Sequence, residues 1–591
     1  MAVYQAYLEI DPKGICMAHL LDLPGCMVRR GSRAEALEAL PGAIREYFDW
    51  LRRHGEEVQP PEEVTVEVAE TSRGYGPFSP GDAAALFAPD CEPVGRAEMQ
   101  AVYFHRAGYA REDLRELVKY LPPSVLDWQP DEGAISIRRI LRHVGNAEEW
   151  YVSRLVPPET LPVEWEGDED LPIKQFLEME RRTALHRLRQ LTDEALGALT
   201  YPSQWTEHPE EAWTARKALR RMIEHEREHT GHIREVLAGW RLDLLRRMAS
   251  ERAAFLEQLL GFDEQVLSME PVFGDYTAKD LLAHAAAWDE WHTRATALIL
   301  DGRVNEIPAV DLEARNAALL AEHKGMTLDE ALEYFTRARW SFLENLSRAS
   351  DEELHRRPAP GVWSIRKRAE RRAGHDREHA AHLRRWRERL RAEGYRLVTG
   401  PKSILLAALR AGRGALLAAM ALVPEDERET RPVTGDWTLA DVAGHVADWE
   451  QFGVQVLRRV LSGENLSNDP VVAEFSGDIE AWNRTHAAAR RDQSWEEVWD
   501  DIKERRREMI ELLDRFTQEE LGRPFPIHWS QRRMTPYRFG RIWVEHDREH
   551  AGNIQSIPRS PMRDSRRPPT DDRRGPENSR RNRPKTFLRQ A

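Results

Sequence analysis

A chain of 591 residues is too long for a single hydrophobic core and predicts about three to five domains. Charged residues make up 31% of it with no excess of Gly or Pro, which suits soluble, largely helical domains. Its net charge of −14 argues against a nucleic-acid enzyme, and its three cysteines, Cys16, Cys26 and Cys91, are too few for a disulfide framework or a cysteine-based zinc site.

No uninterrupted apolar run approaches the roughly 20 residues that span a bilayer. The nearest, Ile404 to Val423, is broken by Arg410 and Arg413. The N-terminus lacks a charged-then-apolar signal pattern, so the expectation is a cytoplasmic protein with no membrane partner.

Residues 1–72 read differently from the rest. Val3 to Ile10 and Ile15 to Leu23 alternate as a hairpin around Asp11-Pro12-Lys13-Gly14, and Pro24-Gly25-Cys26 ends the pair. Ser32-Arg33-Ala34-Glu35 opens a helix with Leu37, Leu40, Ile44, Tyr47, Phe48 and Leu51 at helical spacing. Val64, Val66 and Val68 form a last strand, giving the order strand, strand, helix, strand. With Asp22-Leu23-Pro24-Gly25-Cys26 followed by Gly31-Ser32 and Glu35-Ala36, the segment resembles the HicB family of antitoxin-type domains. The resemblance implies a compact α/β domain with a partial RNase H-like fold, used for pairing with itself or with a small RNA-cleaving toxin. The DNA-binding segment that full antitoxins carry has no helix-turn-helix candidate here, so self-association is the expected role.

Residues 73–96, rich in Gly and Pro, read as a linker. Beyond them the helical period and the histidines divide the chain into three repeats, 97–240, 241–398 and 399–557, each with an opening amphipathic helix and three further principal helices. The predicted fold is mainly α, a tandem array of three four-helix bundles behind a small N-terminal α/β domain. Stretches beginning at Asn316 and Asn483 run in register through the second and third repeats, and Trp213 and Trp363 match in position where the third has Met534. The basic stretch 558–591, with eleven Arg or Lys against four Asp or Glu, reads as a disordered tail.

One pattern occurs three times: His225-Glu226-Arg227-Glu228-His229, His375-Asp376-Arg377-Glu378-His379 and His546-Asp547-Arg548-Glu549-His550. Histidines four apart share a helix face, so both imidazoles can reach one metal ion. The first copy also satisfies the HExxH of zinc proteases, but Asp376 and Asp547 replace its catalytic Glu in the others, so that reading is set aside. A helical segment upstream of each pair holds one further histidine, His143, His284 or His445. Thr277/Asp280 and Thr438/Asp441 are start signals for two of these segments, and the first has Ser136 with Arg139. Three neutral imidazoles leave coordination positions open, as in a catalytic site, and suit zinc, nickel, iron or cobalt. The acids inside the motif read either as partners for the ligands' other ring nitrogens or as a solvated face. His232 and His382 read as supporting or exposed residues. Trp288, Trp291, Trp437 and Trp449 read as bundle core, and His292 has no matched partner.

Gly274-Asp275-Tyr276-Thr277 and Gly435-Asp436-Trp437-Thr438, the starts near Trp213 and Trp363, and the closing His-x-x-x-His resemble the DinB-like superfamily over nearly all of residues 97–557. The resemblance implies four-helix bundles with three-histidine metal sites: His143, His225 and His229; His284, His375 and His379; His445, His546 and His550. It further implies a divalent ion such as zinc, nickel or iron, a low-molecular-weight thiol as co-substrate, and transferase or hydrolase chemistry on small electrophiles. The alternative is a non-catalytic assembly protein, whose head recruits partners and whose bundles hold a metal or ligand.

Overall fold

Alternating apolar residues at the start of the chain build a four-stranded sheet. In the computed structural model, described for residues 2–74, 84–130, 134–156, 171–202, 205–206, 208–464, 466, 469–475, 477–527 and 534–556, strands β1 (Ala2–Ile10), β2 (Cys16–His19), β3 (Met27–Arg30) and β4 (Val64–Arg73) lie in the order β3-β2-β1-β4. β1 runs antiparallel to β2 and parallel to β4. Helix α1 (Arg33–Arg53) begins where the Ser32 hydroxyl accepts from the Glu35 N–H, and it buries Leu40, Ile44, Tyr47, Trp50 and Leu51. β3 is an addition to the sequence reading, which ended the hairpin at Cys26. Its Arg29 and Arg30 mask the alternation, although Arg29 is held by Glu228 at 3.2 Å.

The chain divides into two units between Val236 and Leu237. In the first, the sheet domain shares one core with the bundle that follows: Leu8, Cys16, Tyr47 and Trp50 pack in a cluster with Tyr103, Ala107, Met222 and Ile223. Gly25 has φ +96°, and a Cβ there would stand 2.6 Å from Ile223, so the Pro-Gly turn admits the helix only as glycine. His19 Nδ1 lies 3.1 Å from Glu224, and Trp50 donates to Asp113 at 2.9 Å. The second half of the expected linker is packed rather than free: Phe87 is buried and the buried Asp90 accepts from Arg220 at 2.7 Å. Residues 75–83, the rest of that linker, and the tail beyond 556 lie outside the described residues.

The first bundle uses α2 (His105–Val118), α3 (Ile137–Ser153), α4 (Ile173–Gln190) and the start of α5 (Ala215–Gln258). α5 runs through the expected boundary at 240/241 because Ala238-Gly239-Trp240-Arg241 offers neither a proline nor a cap, and a lone glycine costs only about 1 kcal/mol.

The second unit holds the other two bundles. The middle one comprises residues 237–258, a hairpin of β5 (Pro271–Phe273) and β6 (Tyr276–Thr277), α6 (Ala278–Leu300), α7 (Leu312–His323), α8 (Leu328–Arg348) and α9 (Ile365–Ala392). The third comprises α10 (Lys402–Met420), a hairpin of β7 (Pro432–Thr434) and β8 (Trp437–Thr438), α11 (Leu439–Ser462), α12 (Ile479–Ala489), α13 (Trp495–Arg515) and α14 (Pro536–Ser556). Each hairpin turns on a Gly-Asp pair with the glycine at positive φ, 51° at Gly274 and 58° at Gly435. Thr277/Asp280 and Thr438/Asp441 form reciprocal caps at the starts of α6 and α11. Among the described residues α10 alone is long and apolar enough to cross a membrane, but 67% of its most apolar stretch is buried inside the protein. Ile404, Leu405, Leu409, Leu416 and Met420 are fully enclosed, which makes it a core helix.

Candidate metal centres

The structure brings the nine histidines together in three groups: His143 with His225 and His229, His284 with His375 and His379, His445 with His546 and His550. In each group the ligand atoms lie within 4.8 Å of one another. Nε2 of His225 is 2.9 Å from that of His143, Nε2 of His375 is 3.2 and 3.1 Å from those of His284 and His379, and Nε2 of His546 is 3.2 and 3.0 Å from those of His445 and His550. An ion about 2.1 Å from each imidazole nitrogen needs N···N edges of about 3.0–3.4 Å, so these five contacts already stand close to coordination spacing.

The electrostatics agree with that geometry. Burial and neighbouring arginines or histidines pull the imidazoles down, His284 to about 4, His445 to about 3, and His225, His375 and His546 well below the ordinary value. They are therefore neutral, the form a metal ion takes. Nδ1 of His546 and of His550 has no hydrogen-bond partner. Three facing Nε2 atoms cannot all be satisfied by one another's protons, whereas a cation satisfies all three. The groups differ in access: the middle triad is fully buried, the first has only His143 half-buried, and all three histidines of the third are half-buried.

The hairpins wall two of the sites. Tyr276 stands edge-on to His284 at 5.5 Å and Trp437 to His445 at 5.1 Å. Trp288 donates to Asn316 Oδ1 at 3.0 Å, and Trp449 donates to Asn483 Oδ1 at 2.8 Å. Asn483 also acts on the His445 ring, whose Nε2 lies toward His546. Trp437 and Trp449 are thus site walls rather than only bundle core, and the paired asparagines that opened the matched stretches mark the same wall. The corresponding segment of the first bundle, 157–170, lies outside the described residues.

The first acid of each paired-His motif does neither of the things its sequence suggested, whereas Glu378 and Glu549 lie on an exposed helix face as the second reading had it. Glu226, Asp376 and Asp547 are buried and turn away from the imidazoles toward arginines on other helices. In the third bundle Arg413 bonds Glu450 at 2.7 Å and Asp547 at 3.1 Å, while Arg506 bonds Asp547 at 2.8 Å and also Glu450. In the middle one Arg252 and Arg339 each bond both Asp289 and Asp376 at 2.6–3.1 Å. In the first Arg111 and Arg181 each bond both Glu148 and Glu226. The sequence carried this signal at constant offsets: one carboxylate five residues after the single histidine, and one arginine thirty-two residues before it. The first and third layers pair two arginines with two acids, while in the middle one Arg372 also bonds Asp289 at 2.6 Å; removing one member of a paired layer leaves an uncompensated buried charge worth about 3–5 kcal/mol.

The middle triad has one liability. Arg372 Nη2 lies 3.0 Å from His375 Nδ1. An imidazole that holds an ion through Nε2 carries its proton on Nδ1 and needs an acceptor there, but a guanidinium only donates. Met222 and Trp543 occupy this position in the other two bundles. Of the remaining histidines, His232 is buried beside His229, and the half-buried His382 packs on Phe273 at 4.4 Å.

A family model described as the DinB superfamily matches residues 108–233 and 408–554. The two regions contain the first and third triads, and both are DinB-like bundles with a histidine triad able to hold a metal ion. The middle bundle and the N-terminal domain lie outside the matched regions. No curated protein and no solved structure matches the chain.

Proposed function

We propose that the chain is a metal-dependent protein whose third bundle catalyses attack of a low-molecular-weight thiol, or of water, on a small electrophile. The observation that carries this reading is the access to the third triad, where His445, His546 and His550 converge and all remain half-buried behind Trp437 and Trp449. A zinc, nickel or iron ion held by three imidazoles supplies Lewis acidity that makes a thiol or water nucleophilic near neutral pH. Asn483 orients His445, and the Arg413–Glu450–Arg506–Asp547 layer holds the facing helices so that the three nitrogens stay in register. The two indoles give an apolar approach for the electrophile and limit competing water. In the thiol reaction a sulfur–carbon bond forms, the leaving group departs with its bonding pair, and the thiol proton passes to solvent.

The test compares the zinc-, nickel- or iron-loaded full chain with its His546→Ala/His550→Ala variant, using glutathione-type thiols and a panel of alkyl halides and epoxides. A rate lost in a variant with unchanged circular dichroism supports the reading. Equal rates overturn it and favour a binding protein.

We also propose that copies pair through the N-terminal sheet, of which β4 forms one edge. Light scattering of the full chain is expected to give a dimeric mass, and a monomeric mass rejects the idea.

A further inference from the structure

The middle bundle differs from its neighbours a second time, about two helical turns beyond its histidines. Arg368 on α9 is 2% exposed, yet among the described residues no carboxylate touches it. Its Nη1 donates to His292 Nδ1 at 3.4 Å, its guanidinium lies 5.1 Å from the Trp291 ring centre, and its buried Nε has no hydrogen-bond partner. In the buried layers burial and the neighbouring Arg339 draw Arg252 down despite its two acids, whereas Arg181, Arg339 and Arg413 are held above the ordinary arginine range by the two acids each one bonds. Burial pulls Arg368 the opposite way, to about 10, with no acid opposing it. The group is still charged at neutral pH, and an uncompensated buried cation is costly unless an anion arrives to balance it.

The surroundings suit a particular anion. Burial and nearby arginines keep His292 neutral, so that it accepts from Arg368 and leaves the other guanidinium nitrogens unused. Trp291 packs edge-on to His292 at 4.8 Å, and Trp363 lies nearly parallel to it at 6.3 Å and is 39% exposed. Lys367 Nζ sits 4.7 Å from the Trp363 ring centre, adding a second cation at the rim. The equivalent pairs in the other bundles are Ala218 with Tyr151 and Phe539 with Gly453, neither of which offers a cation.

We propose that Arg368 and His292 form a recognition site in the middle bundle for a small organic carboxylate with an apolar, ring-bearing body. The carboxylate accepts from the unused guanidinium donors, whose planar fork matches its two oxygens, while the body lies against Trp291 and Trp363. The site needs no ion at His284, His375 and His379, so it stands apart from the reading of the third bundle as catalytic.

Calorimetry and thermal shift on the full chain decide it, with benzoate, phenylacetate and indole-3-acetate each beside its neutral amide, and with inorganic phosphate as a competitor. The parent is expected to bind at least one acid ten-fold or more tightly than its amide and to melt higher with the acid only. Arg368→Met should abolish that preference, Arg368→Lys should keep part of it, and His375→Ala/His379→Ala should keep it whole. No acid-over-amide preference in the parent overturns the proposal, and so does a preference that survives Arg368→Met or is lost in the histidine variant. Phosphate binding without carboxylate binding overturns the assigned class. Should Arg368→Met fail to fold, the parent's thermal shifts and the lysine variant still give the answer.

Discussion

Asp547 follows His546 directly, yet its Oδ1 lies 3.1 Å from Nη2 of Arg413, a residue 134 positions earlier on the opening helix of the third bundle. Both are buried; Arg413 also bonds Glu450, and Asp547 also bonds Arg506. Breaking this layer on one side should be far more damaging than a surface salt bridge would suggest. Asp547→Asn or Arg413→Met is expected to cost about 3–5 kcal/mol in urea unfolding of the second unit, and the double variant less than the sum of the two. Losses under about 1 kcal/mol would mean that the layer is solvated in solution.

Metal content should follow the surroundings of the triads. Elemental analysis of chain supplied with zinc, nickel or iron is expected to find up to about three ions, with one lost in His546→Ala/His550→Ala. Competition against a chromophoric chelator should show the middle triad as the weakest, because Arg372 presents donors to His375 Nδ1. Arg372→Gln, which supplies an acceptor there, should strengthen that site by about ten-fold. Three equal affinities, or no gain from the glutamine, would remove Arg372 from the account.

Acid should weaken the second unit through a histidine that holds no ion. His355 packs on Trp240 at 4.9 Å, and burial with nearby arginines lowers it to about 4, against an unfolded value near 6.5. Its contribution is complete above pH 6.5, because the folded and unfolded states then bind the same number of protons. It is lost as pH falls from 6.5 towards 4, where only the unfolded chain takes up the proton. Between pH 7 and 4.5, His355→Phe should therefore lose about 2 kcal/mol less stability than the parent. Parallel urea curves for the two proteins at both pH values would refute this.

The N-terminal domain cannot be removed cleanly. Trp50 closes a core that also holds Tyr103, Ala107 and Ile223, and its N–H is bonded to Asp113. Trp50→Ala should destabilise the first unit by about 3–5 kcal/mol, and deletion of residues 1–72 should make 97–236 sensitive to protease. Unchanged proteolysis after the deletion would show that the two parts fold separately.

Much of the candidate site was legible because its ligands obey local rules: four-residue spacing puts two imidazoles on one helix face, and a Thr-x-x-Asp cap announces the helix that brings the third. Arg111, Arg252 and Arg413 were not legible by such rules. In a chain with 86 Lys and Arg, a single arginine on an amphipathic helix looks like a solvated one, and its partners lie 37 or more residues away. Only the comparison of offsets among the repeats would have separated them. The four-residue β3 escaped for a related reason, since Arg29 makes its bond to a residue almost 200 positions later. The continuous α5 was missed because a repeat boundary was assumed to be a helix boundary, and no residue at 238–241 acts as a stop.

In the third bundle each member of the charged layer comes from a different helix: Arg413 from α10, Glu450 from α11, Arg506 from α13 and Asp547 from α14. A hydrophobic seam of leucines and alanines tolerates a helix that slides by one residue, because apolar side chains are interchangeable at small cost. The layer does not tolerate it. A slip of one position turns a helix by about 100° and swings its charge out of reach of both partners, so only one mutual alignment of the four helices leaves no charge stranded. The layer thus acts as a combination lock on the bundle, and His445, His546 and His550 face one another only in the alignment that opens it.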